Sequence, residues 1–176
     1  MECAIDKIGF GGGCHWCTEG VFNSLIGIEK VEQGWIKGRH ADSYYSEAVI
    51  VYFNPNRISL IDLIEIHLHT HACTSAHSMR SKYRSAIYTF SIIQERSSNE
   101  IVKDFQCDFS AEIITEVLEF ENFKLNREDL LDYFYTRPDA PFCQNYIYPK
   151  LKLLGEKFTD KVSLSRIEKI EIRKSK

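Results

Sequence analysis

Residues 9–22 read GFGGGCHWCTEGVF and decide how the N-terminal part of the chain folds. The residues before the glycines (4–10) predict a short strand, and those after them (about 14–25) carry apolar side chains at helical spacing. The chain therefore turns sharply at the glycines, and Cys14 falls at the N-terminus of the helix. Unpaired backbone N–H groups and the positive end of the helix dipole favour a thiolate there. This position makes Cys14 the best candidate nucleophile.

Strands and helices alternate along the following residues. Ser59 is a good N-cap for a second helix. Further strands are predicted over residues 29–36, 47–53 and 85–90. The order strand, helix, strand, strand, helix, strand is that of a ferredoxin-like split βαβ core. We therefore expect an α+β fold with a mostly antiparallel sheet and helices packed on it.

The later residues extend this core towards the C-terminus. We expect a helix over residues 93–108, a strand over 113–120, and a helix near 127–135. Pro138 and Pro141 then open a loop around Cys143, which we expect to be mobile. A length of 176 residues predicts one catalytic domain, residues 1–158, and a charged, solvated tail, residues 159–176.

Charge and hydrophobicity exclude several classes of protein. A net charge of −3 offers no basic face for nucleic acid. No run approaches the roughly 18 apolar residues needed to span a bilayer, and the first ten residues lack the pattern of a signal peptide. We therefore expect a cytoplasmic protein with neither nucleic acid nor membrane as a partner. The six cysteines are too unevenly spaced for a disulfide scaffold, and we interpret Cys3, Cys73 and Cys107 as structural.

The pair formed by Cys14 and Cys17 has three interpretations. A structural zinc site needs four ligands, and no second closely spaced Cys or His pair completes the set. A thioredoxin-like dithiol also places Cys-x-x-Cys at a helix start, but its usual tryptophan precedes the first cysteine. The third interpretation is a single reactive cysteine, Cys14, with Cys17 one helical turn away.

The third interpretation is supported by a resemblance to a known family. Residues 13–19, GCHWCTE, resemble the Gly-Cys-Phe-Trp-Gly-x-Glu signature of type A peptide methionine sulfoxide reductases. Residues 47–49, EAV, with Asn-Pro at 54–55, and residues 83–88, YRSAIY, resemble further blocks of that family in the same order. The resemblance runs from about residue 9 to residue 143. It implies a thiol-dependent oxidoreductase that reduces the S epimer of methionine sulfoxide, free or in proteins, and so repairs oxidative damage.

The resemblance also implies roles for individual residues. Cys14 is the attacking thiolate, and Glu47 gives a proton to the sulfoxide oxygen. Burial disfavours the charged form of a carboxyl group, so we expect Glu47 to stay protonated near neutral pH. The remaining implied site residues are Tyr83 as a hydrogen-bond donor to the oxygen, Tyr45 (with Tyr44 as the alternative) as the second tyrosine, and Trp16 with His15 as walls around the substrate methyl group.

Turnover leaves a sulfenic acid on Cys14, which condenses with a second thiol. The resemblance places the resolving cysteine late in the chain, at Cys143, whereas Cys17 is a rival because it is already close to Cys14. Thioredoxin or a similar thiol reductant is the implied partner that reopens the disulfide. No cofactor or metal is implied.

The chain departs from the family pattern at three places. His15 replaces an aromatic apolar residue, the loop before Glu47 is shorter, and Ser78 stands where the family has an aspartate, for which His77 or Arg80 could substitute. A dithiol oxidoreductase that uses Cys14 and Cys17, and a non-catalytic or metal-binding relative, are the alternative functions.

Overall fold

The computed structural model describes residues 4–39, 44–163 and 165–166. The strands are β1 (Asp6–Gly11), β2 (Ile28–Gly38), β3 (Ser46–Phe53), β4 (Ala86–Thr89) and β5 (Glu116–Leu125). The α-helices are α1 (His15–Asn23), α2 (Leu60–Thr70), α3 (Ile92–Asp104), α4 (Tyr133–Thr136) and α5 (Tyr148–Lys157). Short 3₁₀ turns are Ser78–Ser81, Phe105–Asp108, Glu128–Leu130 and Thr159–Lys161, and a π-helical turn is Cys143–Ile147.

The strands form a closed barrel in the order β1-β3-β2-β5-β4, with β4 paired back to β1. The predicted open, ferredoxin-like sheet is therefore wrong. β5 is the reason, because it pairs with β2 in antiparallel and with β4 in parallel orientation and so joins the two edges that an open sheet would leave free. All other strand pairs are antiparallel.

Glycines let so small a barrel close. A Cβ atom at Gly9 of β1 would lie 2.8 Å from Cβ of Tyr88 and 3.0 Å from Cδ1 of Ile36. A Cβ atom at Gly34 of β2 would collide with the carbonyl oxygen of Lys124 on β5. Side chains are missing where neighbouring strands leave no room for a Cβ atom, as expected for a narrow barrel whose interior is filled by a few large residues.

Alternation along β3 divides the apolar side chains between two cores. Ala48 and Ile50 pack inside the barrel with Tyr88, whereas Val49 and Val51 pack against the helices. The outer core is the larger one, and it contains Phe10, Phe22, Leu63, Ile64, Leu68, Ile87, Phe134, Ile147 and Leu154. Glu47, one residue before Ala48, shares the helix-facing side of β3 with Val49.

The second helix begins as the sequence predicts. The Ser59 hydroxyl accepts the backbone N–H of Asp62 at 3.1 Å, and the Asp62 carboxylate accepts the N–H of Ser59 at 2.9 Å. This capping box satisfies two N–H groups that would otherwise lack partners. α2 ends at Thr70 beneath the glycine turn of β1.

The start of the predicted tail packs on the domain. Val162 is buried and forms an isolated bridge with Leu25, and the Lys161 Nζ lies 3.3 Å from the Asp62 carboxylate. Residues 164 and 167–176, which make up most of the predicted tail, lie outside the described residues. Within the part of the chain that the structure describes, no helix has the length and apolar composition needed to cross a membrane.

Candidate active site

The glycine turn between β1 and α1 sets the position of Cys14. A Cβ atom at Gly12 would collide with the imidazole ring of His71, so the turn can pass over this ring only because Gly12 has no side chain. Cys14 is the N-cap residue of α1, and its carbonyl oxygen accepts the N–H groups of Cys17 at 3.1 Å and Thr18 at 3.2 Å. The Cys14 side chain is half-buried and therefore accessible to a small substrate.

The Cys14 and Cys17 thiols form an unequal pair. A hydrogen bond from the Cys17 side chain lowers the pKa of Cys14, and the backbone N–H groups of Trp16 and Cys17 lower it further, against burial and the charge of Glu47. The same hydrogen bond and burial raise the pKa of Cys17 far above its ordinary value. The arrangement therefore favours a thiolate on Cys14 and a protonated thiol on Cys17.

Cys14 opens on a cavity of about 510 Å³ between α1, α2 and the segment after α4. Cys14, Cys17, His67, Tyr83, Phe142 and Lys150 are among its lining residues. The His67 ring is almost fully buried, and its Nε2 has no hydrogen-bond partner among the described residues. Burial lowers the pKa of His67 well below its ordinary range, so the ring is neutral at pH 7.

Glu47 lies at the start of β3, under the first residue of α1, and is 4% exposed. One carboxylate oxygen accepts the backbone N–H of His15 at 3.1 Å, and the other lies 3.3 Å from Nζ of Lys82. The carboxyl group is therefore next to Cys14 in the chain fold and beside a cation. The N–H group and the ammonium hold both carboxyl oxygens in place, and a protonated Glu47 near neutral pH stays a prediction.

Tyr83 is held close to Glu47 by the backbone around it. The Lys82 carbonyl oxygen accepts the N–H of Glu47 at 2.9 Å and the hydroxyl of Ser46 at 2.8 Å. Arg80 donates to the carbonyl oxygens of Tyr83 at 2.9 Å and Gly12 at 3.0 Å. The guanidinium therefore ties the tyrosine segment to the glycine turn, and Tyr83 lines the cavity with Cys14.

Comparisons with known proteins agree with this geometry. Residues 6–162 match the model of the family described as peptide methionine sulfoxide reductase. The reductase MsrA of Trichodesmium erythraeum is 32% identical over 175 residues, which cover 90% of this chain and 99% of that protein. This chain belongs to the peptide methionine sulfoxide reductase family. The predicted family and the predicted enzyme class, a thiol-dependent oxidoreductase that reduces methionine sulfoxide, are confirmed.

Solved structures share the fold of this reductase at lower identity. Mxr1 from Saccharomyces cerevisiae in reduced form has a TM-score of 0.71 and 22% identity, over 83% of this chain and 93% of that one. Mxr1 in complex with Trx2 has a TM-score of 0.60 and 20% identity, over 74% of this chain and 86% of that one. These TM-scores show that the fold of this chain is also found in the two Mxr1 structures.

His15 is a residue of the reductase signature that departs from the family pattern. Its ring is buried, and each ring nitrogen has a hydrogen-bond partner. Asn126 donates to Nε2 at 3.1 Å, so Nδ1 carries the proton and faces the carbonyl oxygen of Gly34 at 3.3 Å. Nδ1 is also 3.6 Å from the Glu47 carboxylate. Burial lowers the pKa of His15, so a neutral ring fills the apolar position.

A buried chain of hydrogen bonds continues from Asn126 to α4. Asn126 also donates to Gln33 at 2.7 Å, and Gln33 donates to Glu19 at 2.7 Å. Glu19 in turn accepts the backbone N–H of Asp132 at 3.1 Å. The glutamate of the signature therefore fastens the residues before α4 to α1, a role that the sequence did not indicate.

The Trp16 ring is partly covered by residues from the C-terminal third of the reductase. Tyr133 stacks on it with ring centroids 4.0 Å apart and planes 4° apart, and Phe142 meets it edge-on at 5.4 Å. Trp16 does not line the Cys14 cavity. Tyr133 and Phe142 were missed from the sequence, because isolated aromatic residues are usually part of a core.

Neither candidate for the second tyrosine lines the Cys14 cavity. The Tyr45 ring lies 3.9 Å from Nζ of Lys124 on β5, and the Tyr44 ring lies 4.5 Å from the guanidinium carbon of Arg84. The described structure thus places Tyr83 in the cavity with Cys14, places Glu47 beneath the first residue of α1 outside the cavity lining, and leaves both of these tyrosines apart.

Cys143 lies at the start of a π-helical turn and not in a loop as predicted, while its mobility stays a prediction. Its side chain is completely buried at the start of the π-helical turn, and its thiol donates to the carbonyl oxygen of Arg137 at 3.2 Å. Burial raises its pKa. Of the other cysteines, Cys73 is buried, Cys107 is exposed, and Cys3 lies outside the described residues.

One group of side chains in the described part of the reductase could hold a metal ion by its geometry. The ligand atoms of Glu65, His69 and Asp108 lie within 4.8 Å of one another. The Lys157 ammonium already lies among them, 2.6 Å from Nε2 of His69 and 3.9 Å from Glu65. Neither Cys14 nor Cys17 belongs to this group, so it is separate from the sulfur chemistry.

Proposed function

We propose that Cys14 attacks the sulfur of the S epimer of methionine sulfoxide. Glu47 gives a proton to the sulfoxide oxygen, and Tyr83 donates a hydrogen bond to it. One observation carries the assignment: the Cys14 sulfur, hydrogen-bonded by the Cys17 thiol, opens on the cavity that Tyr83 lines. The thiolate is the nucleophile, and the oxygen needs a proton as the S–O bond breaks. Methionine leaves and Cys14 becomes a sulfenic acid.

Glu47 is the acid in this proposal, and Lys82 is the cation that contacts it. The carboxyl group is buried beside Cys14, whereas the Lys82 side chain is 46% exposed and can exchange protons with solvent. Tyr83 adds a hydroxyl donor, and the Lys82 ammonium lies 5.0 Å from its ring. In this proposal the Tyr133 ring moves off Trp16, and the substrate methyl group then packs against the Trp16 ring.

The test is turnover of the separate S and R epimers of a blocked methionine sulfoxide with dithiothreitol as reductant. Wild type should reduce the S epimer, Cys14→Ser should be inactive, and Glu47→Gln should be slower by about a hundredfold or more. Cys107→Ser is the matched control, because its exposed thiol contacts Asp104 away from the cavity. Full activity in Cys14→Ser, or reduction of the R epimer alone, would contradict the proposal.

Cys17 is the resolving thiol that we propose, rather than Cys143. Both thiols are buried, but the Cys17 side chain already hydrogen-bonds to Cys14, whereas the Cys143 thiol donates to the carbonyl oxygen of Arg137. A Cys-x-x-Cys disulfide closes a small ring without moving a helix. Thioredoxin or a similar dithiol would then reopen the bond.

Two serine variants decide between the resolving cysteines. Cys17→Ser keeps a hydroxyl donor for Cys14, so it should retain turnover with dithiothreitol and lose turnover with thioredoxin. Cys143→Ser should retain both, because its hydroxyl can still donate to the Arg137 carbonyl oxygen. The reverse pattern would assign the role to Cys143.

The state of the cysteine thiols is the basis for a proposed location in the cell. The five cysteines in the described part of the chain are all free. We propose a cytoplasmic location, since a reducing compartment keeps such thiols available for turnover. Fractionation of cells with a specific antibody would test it, and recovery from an extracellular fraction would contradict it.

A further inference from the structure

A positively charged side chain forms part of the cavity wall beside the two sulfurs. Lys150, in the first turn of α5, lines the cavity with Cys14 and Cys17, and its Nζ donates a hydrogen bond to the carbonyl oxygen of Thr70. Thr70 is 7% exposed, so the ammonium points into the protein. Among the described residues that line this cavity there is no aspartate or glutamate. The sulfurs are therefore the wall groups that become anionic during turnover.

Two buried histidines that face the ammonium are neutral. Lys150 faces Cys14 and Cys17 from α1, and His67 and His71 from α2. Burial lowers the pKa of both histidines, that of His71 to about 4, so neither carries charge at pH 7. Burial also lowers the pKa of Lys150, and the two sulfurs oppose that effect.

The negative charge is on the Cys14 sulfur in the reduced protein and must be on the Cys17 sulfur during recycling. In the reduced protein, the hydrogen bond to Cys14 and the charge of Cys14 both help to keep Cys17 protonated, whereas Lys150 favours its thiolate. A sulfenic acid on Cys14 no longer carries the thiolate charge. Burial of Cys17 remains, and a cation is then needed to offset it.

We propose that Lys150 is a positioning residue for recycling, whose ammonium stabilises the Cys17 thiolate while this sulfur attacks the sulfenic acid of Cys14. The proposal rests on the proposed function, with Cys17 as the resolving thiol. An S–S bond forms and the S–O bond of Cys14 breaks. The oxygen leaves as water with the proton released by Cys17. The Cys17 sulfur is oxidised and the Cys14 sulfur is reduced, so the step needs no further oxidant.

The experiment is a single turnover with one equivalent of blocked S sulfoxide and no reductant. Methionine, dimedone-trapped sulfenic acid and the Cys14–Cys17 disulfide are followed by mass spectrometry. Lys150→Met should form the disulfide about tenfold more slowly at pH 7, the equivalent of one pKa unit on Cys17, and should slow methionine release much less, because the Cys17 hydrogen bond to Cys14 remains. Sulfenic acid should accumulate only in this variant, and Lys150→Arg should restore disulfide formation to within about threefold of wild type.

Lys157→Met is the matched control. It removes a charge from the same helix, but the Lys157 ammonium contacts His69 and Glu65 instead of the cavity. Its methionine and disulfide rates should equal those of wild type. If circular dichroism shows that Lys150→Met is unfolded, Lys150→Gln takes its place, because its amide can still donate to the Thr70 carbonyl oxygen.

The pH profile separates an electrostatic role from a structural one. The defect of Lys150→Met should shrink as pH rises, since Cys17 then ionises without help. Equal disulfide rates in wild type and Lys150→Met would overturn the proposal, as would an equal loss of methionine and disulfide formation. A wild type that releases no methionine would instead refute the proposed function.

Discussion

Replacing Glu19 by Gln is expected to change how the stability of the reductase depends on pH. Glu19 is 2% exposed, and its oxygens accept hydrogen bonds from Gln33 at 2.7 Å and from the Asp132 N–H at 3.1 Å. Burial outweighs both hydrogen bonds and raises the pKa of Glu19 to about 7. The native protein therefore keeps a proton on Glu19 where the unfolded chain, with its ordinary value of 4.5, has lost it.

The sign follows from proton binding. Between pH 4.5 and 7 the unfolded state binds fewer protons than the native state, so stability falls as pH rises. The protonated Glu19 contributes fully to the free energy of unfolding below pH 4.5, and this contribution is lost above about pH 7. This interval corresponds to about 3 kcal/mol of unfolding free energy.

Urea unfolding at pH 5, 6, 7 and 8 measures the effect. The stability of wild type minus that of Glu19→Gln should fall by about 3 kcal/mol across this range. Buried His67 and His71 contribute the opposite slope, but they are present in both proteins and cancel in the difference. Glu100→Gln, at an exposed position of α3, should run parallel to wild type. A difference between wild type and Glu19→Gln that does not change with pH would refute the reasoning.

Three other substitutions test the barrel and the groups around the sulfoxide site. Gly34→Ala should destabilise the protein by about 3 kcal/mol in urea, because its Cβ meets the Lys124 carbonyl oxygen. Lys82→Met should change kcat by less than about fivefold, because the ion pair between its half-exposed ammonium and Glu47 is screened by water. Arg80→Met should lower kcat/KM by about tenfold or more by releasing the tyrosine segment from the glycine turn, and Arg80→Lys should restore only part of it.

The features that could be predicted from the sequence are local ones. The turn before α1 depends on glycines next to Cys14, and the start of α2 depends on Ser59 and Asp62, three residues apart. In both cases neighbouring residues carry the whole signal. The strand composition of residues 47–53 likewise predicts β3, because a run of apolar residues fits a strand that is buried on both sides.

The features that were missed depend on contacts between distant residues. Barrel closure needs β5 to pair with both β2 and β4, and the half-exposed pattern of β5 does not say how many neighbours it has. Tyr133 lies 117 positions after Trp16 in the numbering, and no periodicity links the two rings. The place of Lys150 in the cavity wall depends on the same kind of contact, and no sequence pattern indicates it. A composition pattern reports the burial of a segment but not its partner.

The hydrogen bonds of Glu19 connect the pH response to the tryptophan wall. Glu19 holds the N–H of Asp132, whose backbone is left-handed at φ 52°, and the next residue is the Tyr133 that stacks on Trp16. An aspartate tolerates this conformation at a cost of about 1 kcal/mol, which a hydrogen bond to a buried carboxyl group can offset. The tyrosine is therefore placed by a contact on its own N-terminal side as well as by the ring stack. Because Glu19 and Trp16 belong to the same short helix, one helix carries both the buried carboxyl group that accepts the Asp132 N–H and the ring on which Tyr133 stacks.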